Sequence, residues 1–258
     1  MPHRRSVLLG LAAAGLLPLA SRALAADNTP VQPDSLATDD GDLIIQPVNH
    51  ATVILSFGSE IIYVDPVGGG PRYKAFNKPT AILITHAHGD HFDVPTLEAI
   101  AATAKVIIAP QKVIDGLPAD LKAKSKLMAN GDTGTVNGIA VNAVPAYNTT
   151  PERATYHPKG EGNGYILSFS DAKVYVAGDT EDTPEMRALT GIGIAFLPMN
   201  LPYTMTGQQA AAAVQEFKPL LVYPYHYGED GKEPANFAAA MHGFAGVDVR
   251  QRDWYAYS

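Results

Sequence analysis

Ala81-Ile82-Leu83-Ile84-Thr85-His86-Ala87-His88-Gly89-Asp90-His91 is the stretch on which the reading of this chain turns. Its first five residues are a short apolar run, as a buried strand requires. The next six carry three imidazoles and a carboxylate. A strand ends at the edge of its sheet, so His86 is delivered to that edge. His86 and His88, two apart, converge on one cation if the backbone bends after the strand. A tight turn at Gly89 sends Asp90 and His91 toward a second cation. Neutral imidazoles and a carboxylate suit Zn²⁺ and similar divalent ions.

Two further strand ends present ligand-type side chains. Val174-Tyr175-Val176-Ala177 runs into Gly178-Asp179-Thr180, and the apolar run 220–225 runs into His226. Other short apolar runs read as strands. Residues 43–48, 52–57 and 60–64 form an antiparallel opening, with Gly58-Ser59 as a hairpin turn. Residues 105–109, 139–144, 165–169, 194–197 and 247–250 follow. Helices are expected over 94–103, 184–189, 206–217 and 234–242. Thr206 and Gln209 stand at capping-box spacing. No internal repeat is visible in the residues. Strands first, then strand–helix units in both halves, imply an α/β chain of sheets covered by helices.

The residues and their order resemble the metallo-β-lactamase superfamily over nearly all of the chain past its first segment. His86-x-His88-x-Asp90-His91 is similar to its signature, Gly178-Asp179-Thr180 to its bridging aspartate, and His226 to its last histidine. Asn49-His50-Ala51-Thr52, with Val64-Asp65-Pro66 after it, resembles the lactonase-like and N-acyl-phosphatidylethanolamine phospholipase-like branch. The resemblance implies a four-layer αβ/βα sandwich of two mixed β-sheets flanked by helices. It implies His86 and His88 on a first metal, Asp90, His91 and His226 on a second, and Asp179 bridging both. The cofactors expected are two divalent ions, zinc first, with manganese or iron as alternatives. The family offers the first metal a third histidine after a middle strand. Here Asn148 stands in that place, and His157 lies nine residues on. Either the loop closes to bring His157 to the first metal, with Asn148 beside bound water or substrate, or the amide is the ligand. His50 either orients a ligand or is a core histidine, and His242 reads as structural. The loop 198–205 places Asn200 and Tyr203 as candidate substrate contacts, and residues 161–164 read as mobile. Arg153 and Lys159 are the cations nearest the expected site.

Two neighbouring cations can hold a bridging hydroxide at neutral pH. The expected reaction is hydrolysis of an ester, lactone, amide or phosphodiester, with Asp90 as the proton carrier. The alternatives are a metal-binding protein without turnover and a diiron redox protein on the same fold. The second would carry a Glu where His88 stands.

Composition narrows the rest. Of the 258 residues 46% are hydrophobic and 17% charged, so the chain can build a large core. There is no cysteine. That excludes disulfides, thiolate metal ligands, a Cys nucleophile and the lactamase branch that uses a Cys ligand. Arg4-Arg5, an apolar run over 7–20 and Ala23-Leu24-Ala25 read as a cleaved export signal over 1–25, of twin-arginine type. Its removal takes Arg4, Arg5 and Arg22 and moves the formal charge from -7 to -10. Phosphate backbones demand cationic surface, so no nucleic-acid partner is expected. The apolar run is too short to span a bilayer, so no stable membrane anchor is expected. The expected address is the periplasm, and the partner a small-molecule substrate. Residues 26–42 read as a flexible linker and 43–258 as one domain.

Overall fold

The computed structural model describes residues 31–228 and 230–256. The expected export signal over 1–25 lies outside them. Two seven-stranded sheets face each other. The first holds β1 (Asp34–Thr38), β2 (Gly41–Asn49), β3 (Thr52–Phe57), β4 (Glu60–Val64), β5 (Ala81–Leu83), β6 (Val106–Ala109) and β7 (Ser125–Leu127) in chain order. The second holds β8 (Thr133–Val136), β9 (Ile139–Ala146), β10 (Gly162–Phe169), β11 (Ala172–Val176), β12 (Ile194–Met199), β13 (Leu221–Tyr227) and β14 (Asp248–Val249), also in chain order. In each sheet four antiparallel strands are followed by three parallel ones. The two halves of the chain therefore repeat one topology, although no repeat is legible in their residues.

Strand side chains alternate between the faces of a sheet, and that alternation sorts the core into layers. In β4, Ile62 and Val64 join Val174, Val176, Phe196 and Tyr223 between the sheets. Tyr63, also in β4, packs on the outer side with Leu97, Val113 and Leu121. These come from α1 (Val94–Ile100), α2 (Gln111–Gly116) and α3 (Ala119–Lys122). On the far side Tyr175 and Ala195 meet Val214 and Phe237. Those belong to α5 (Gly207–Phe217) and α6 (Lys232–Met241), and α4 (Pro184–Arg187) precedes them. The result is the expected four-layer αβ/βα sandwich. The capping box is present in α5: Gln209 N donates to Thr206 Oγ1 and Thr206 N donates to Gln209 Oε1. Gly207 sits where a Cβ would fall 2.2 Å from Glu233 O, so α5 and α6 approach too closely for any side chain there.

Two expectations are corrected. Part of the stretch read as a linker is β1, paired antiparallel with residues 41–45 of β2. Its Asp34 carboxylate accepts hydrogen bonds from Tyr223 Oη (2.8 Å) and Arg252 Nε (3.0 Å), partners too distant in sequence to read. The stretch 161–164, read as mobile, opens β10. Asn163 there is fully buried and donates to Met128 O at 2.7 Å. His242, read as structural, stands at the exposed C-cap of α6, outside the histidine clusters. Among the described residues no helix is long and apolar enough to cross a membrane.

Candidate metal centre

Strand ends assemble the site. His86 lies three residues beyond the end of β5, Asp179 three beyond β11, and His226 near the end of β13. The backbone is bent hard there. His50, Asp65 and His226 are non-glycine residues in the left-handed region, at φ 51°, 47° and 42°. Each such residue costs about 1–3 kcal/mol, and such strain gathers where a side chain must be aimed. His50 and His226 hold one another there, since His226 N donates to His50 O at 3.2 Å. Gly178 has φ 65°, and a Cβ there would lie 2.8 Å from Asn163 O. Asp179 is aimed inward by this glycine. Gly89 does not do what was expected of it. It lies outside the left-handed region, and a Cβ there would meet nothing within 4 Å. The turn is instead closed by His91 N and Phe92 N, both donating to His88 O.

Asp179 divides the cluster between its two oxygens. Oδ2 lies 3.2 Å from His157 Nε2 and 4.0 Å from His86 Nε2. His88 Nδ1 closes that group, 3.1 Å from His86 Nε2 and 3.2 Å from His157 Nε2. Oδ1 lies 3.3 Å from His91 Nε2 and 3.5 Å from His226 Nε2. Asp90 Oδ2 closes the second group, 3.3 Å from His226 Nε2 and 3.9 Å from His91 Nε2. Ligands around a tetrahedral Zn²⁺, with bonds of about 2.0–2.1 Å, stand about 3.3 Å apart. Most of these separations fall near that edge length. The sets His86/His88/His157, His86/His91/Asp179 and His50/Asp90/His226 each bring their ligand atoms within 4.8 Å of one another.

Whether a cation fits is tested by the polar atoms without partners. His91 Nε2 and Asp179 Oδ1 are both buried, 3.3 Å apart, and neither forms a hydrogen bond. Such a pair is costly unless something between them satisfies both. A divalent ion does. The rings are also turned for it. His91 Nδ1 lies 2.7 Å from Asp65 Oδ2, His157 Nδ1 3.0 Å from Tyr203 O, and His86 Nδ1 3.0 Å from Thr85 Oγ1. An acceptor at Nδ1 assigns the proton there and leaves the Nε2 lone pair facing the centre.

Charge follows the same geometry. Burial alone would raise the Asp179 carboxyl, but the charges of His226 and His91 hold it well below the usual carboxylate range. Burial opposes Asp90 likewise, and hydrogen bonds from His226 and His50 outweigh it, so Asp90 is held ionised. Burial, with the His91 charge, pushes His86 well below the usual imidazole range. His91 goes the other way: burial is outweighed by Asp179 and Asp65, and its affinity for a positive charge rises.

The sequence-expected residues come together, with differences of role. His157 stands in the first group, on a loop. Asn148 is buried beside it, 3.3 Å from His157 Nδ1. Its amide nitrogen donates to Tyr203 O (2.7 Å) and Arg153 O (3.0 Å), so that nitrogen holds the loop rather than a substrate or water. His50 is 3.2 Å from Asp90 Oδ2 and 3.0 Å from Tyr255 Oη, the place of an orienting group rather than an isolated core histidine. Asn200 and Tyr203 line a cleft of about 410 Å³ beside Asp90 and His226. Arg153 and Lys159 do not face that cleft as free cations. Arg153 pairs with Glu181 at 2.5 Å, and Lys159 with Glu185 at 2.7 Å.

The sequence reading gave two residues no role at the site, although it quoted one of them, Asp65, as part of the resemblance. Asp65 is fully buried and accepts from Thr85 N, Thr85 Oγ1 and His91 Nδ1 at 2.6–2.7 Å. It stands just past β4, and the rule that a carboxylate at a strand end faces the site would have found it. Glu181 is fully buried and accepts from Thr149 N (2.7 Å), Thr150 N (2.6 Å), both threonine hydroxyls and Arg153. It ties the His157 loop to the strand end that bears Asp179. No sequence signal marks it.

Comparison with known proteins supplies the family. Residues 62–227 match the family model described as the beta-lactamase superfamily domain. The chain is a metal-dependent hydrolase of the metallo-β-lactamase superfamily. It is 32% identical over 190 residues to a UPF0173 metal-dependent hydrolase of Thermococcus kodakarensis, covering 70% of this chain and 82% of that one. A solved structure from Parabacteroides distasonis is similar at 43% identity and TM-score 0.78, covering 86% of this chain and 99% of the other. Igni18, a metallo hydrolase from Ignicoccus hospitalis, shares the fold at TM-score 0.67 and 23% identity, over 81% of this chain and 94% of its own.

Proposed function

We propose that this metal-dependent hydrolase works with two divalent ions, zinc first, and cleaves an ester, lactone, amide or phosphodiester. The observation that carries the reading is the division of Asp179 between two ligand groups, with Oδ1 and His91 Nε2 buried and unpartnered. His86, His88, His157 and Asp179 would hold one ion, and Asp90, His91, His226 and Asp179 the other. Bound there, the ions would supply Lewis acidity toward the scissile group and lower the pKa of water.

The chain's own residues supply the rest. Asp90 reaches the cleft, half exposed at 47%, while His50 and His226 fix its Oδ2. Its place in the cleft, not its acidity, is what suits it to relay a proton between the attacking water and the leaving group. Asp65 and Tyr203 O hold the His91 and His157 rings, so no ring has to reorient during the reaction. Asn200 and Tyr203, on the cleft wall, are placed to orient the substrate. Export to the periplasm by the twin-arginine route belongs to the same proposal, supported by Arg4-Arg5 and Ala23-Leu24-Ala25.

The test is metal analysis of the exported protein with hydrolysis screening on the same sample. About two ions per chain and chelator-sensitive hydrolysis are expected. One ion or none at saturating metal would sink the dinuclear reading.

A further inference from the structure

The wall of the cleft carries information on substrate chemistry, in a step that rests on the hydrolytic reading above. Tyr156 and Tyr203 both line it. Their rings meet edge to face, with centroids 5.0 Å apart. They are 39% and 46% exposed, and Leu201, two residues from Tyr203, is 40% exposed. Among the described residues five large hydrophobic side chains are this exposed, and three fall on these two loops. Scattered exposed apolar residues need no explanation, but a cluster beside a reactive centre marks a place where something is bound. Both aromatics are fixed to the cluster. Tyr156 precedes His157, and the Tyr203 carbonyl accepts from His157 Nδ1.

The loops offer no uncommitted cation to match. Residues 148–161 contain Arg153 and Lys159, and residues 198–206 contain none. Arg153 is bound to Glu181, Lys159 to Glu185, and Lys112 to Glu161 at 2.8 Å. Recognition of a phosphate anion uses charge-assisted hydrogen bonds from such side chains. Here they are spent on carboxylates, and the cleft itself presents Asp90.

We infer that Tyr156 and Tyr203 form a subsite for the apolar body of a neutral carboxylic ester or lactone, whose carbonyl lies over the metal centre. In its hydrolysis a water oxygen bonds to the carbonyl carbon and the acyl carbon–oxygen bond breaks. One water proton leaves on the alcohol oxygen. The other is released as the acid ionises.

The metal-loaded protein is assayed with 4-nitrophenyl acetate, butyrate and octanoate, and with bis(4-nitrophenyl) phosphate. The expected kcat/KM rises about tenfold or more from acetate to octanoate, since each buried methylene favours binding. The diester is the slowest of the four. In the double variant Tyr156→Ala, Tyr203→Ala the chain-length preference falls to within about threefold, through KM, with metal content unchanged. A flat profile in the parent protein, an undiminished preference in the double variant, or a diester faster than every carboxylic ester overturns the subsite. If no compound is hydrolysed, the hydrolytic reading fails for esters separately. The subsite is then read by calorimetry with octanamide against acetamide. Tighter octanamide binding that the double variant loses upholds it. Equal binding of the two amides, or a preference the variant keeps, overturns it.

Discussion

Replacing Glu181 by Ala removes the acceptor on which the His157 loop hangs, and the structure sets the size of the effect. The carboxylate is fully buried and holds two backbone N–H groups, two hydroxyls and the Arg153 guanidinium. Breaking a buried pair by removing one partner costs about 3–5 kcal/mol. Each buried backbone donor left alone adds about 1–3 kcal/mol, less where water enters. Taking only the lower figure of about 3 kcal/mol, the docked population of the loop falls roughly 150-fold relative to its alternatives, at about 1.4 kcal/mol per tenfold. Apparent metal affinity falls with the population able to bind. For a parent loop docked by only a small margin, as locally opening segments are, Glu181→Ala should therefore weaken the ion held by His86, His88 and His157 by about 100-fold. The ion held by Asp90, His91 and His226 should be much less affected, because none of those residues sits on the loop. Glu181→Gln keeps one acceptor oxygen and the shape, and about a tenfold loss is expected. Arg153→Met leaves the threonine donors in place and should fall between the two. Competition of Zn²⁺ against a chromophoric chelator resolves the two affinities, and thermal melting without metal reports any general loss of stability. Two affinities within about threefold of the parent in Glu181→Ala, while His157→Ala loses one, would refute the reasoning.

Other outcomes follow from the same geometry. Asp65→Asn removes the charge and one of the two acceptor oxygens that hold Thr85 and His91, and should weaken the second ion about 10- to 100-fold in the same titration; unchanged affinity would mean Asp65 is structural only. Chelation should lower the melting temperature as well as stop hydrolysis, because an ion at 100 times its dissociation constant contributes about 2.7 kcal/mol; an unchanged melting curve contradicts a site formed by folding. Burial opposes Asp34, but its bonds from Arg252 and Tyr223 hold its carboxyl below the usual range. A depressed folded value means the contribution is complete above the unfolded pKa of about 3.9 and is lost as pH falls through the folded one; the hydrogen-exchange protection factors of β1 amides, corrected for the intrinsic pH dependence, should fall in that acid window and stay level between pH 5 and 7. Replacing Arg4 and Arg5 by Lys should hold the precursor in the cytoplasm, and fractionation showing unchanged export would remove the twin-arginine reading.

What the sequence makes legible here is local. Ala81–Thr85 before three histidines, Val174–Ala177 before Gly-Asp, and the run before His226 each join a short apolar segment to a polar end, and a strand end is where a sheet delivers side chains. The Thr206–Gln209 capping box is legible because both partners lie within one turn. The rest depends on partners far apart. Asp34 is 218 residues from Arg252, and Glu181 is 28 from Arg153. Neither pairing leaves a periodic trace. The repeated sheet topology is hidden for a related reason, since pairing order is a property of the backbone and constrains only the pattern of apolar residues. The assignment of a tight-turn role to Gly89 shows the opposite hazard. The residue permits the strained turn, but the chain makes its turn from ordinary hydrogen bonds to His88 O.

The two metal groups differ in what supports them, and this has a consequence for the order in which they fill. Asp90, His91 and His226 are held by the β5 and β13 ends, the His50–His226 backbone bond and the buried Asp65. The other group borrows His157 from a loop whose place depends on Glu181, Asn148 and the Tyr203 carbonyl. Segments that open locally do so at a fraction of the cost of global unfolding. A loop opening takes away one imidazole beside His88, which is already exposed, whereas His91, in the buried turn after β5, and His226, in β13, have no comparable loop to lose. The His157 group should therefore exchange its ion faster, even if the two equilibrium affinities are similar. Isotope exchange of bound zinc should then show two phases, and Glu181→Gln should accelerate only the faster one. A single phase, or acceleration of the slower one, would mean that the two ions share a common route of release and that the loop is not the gate.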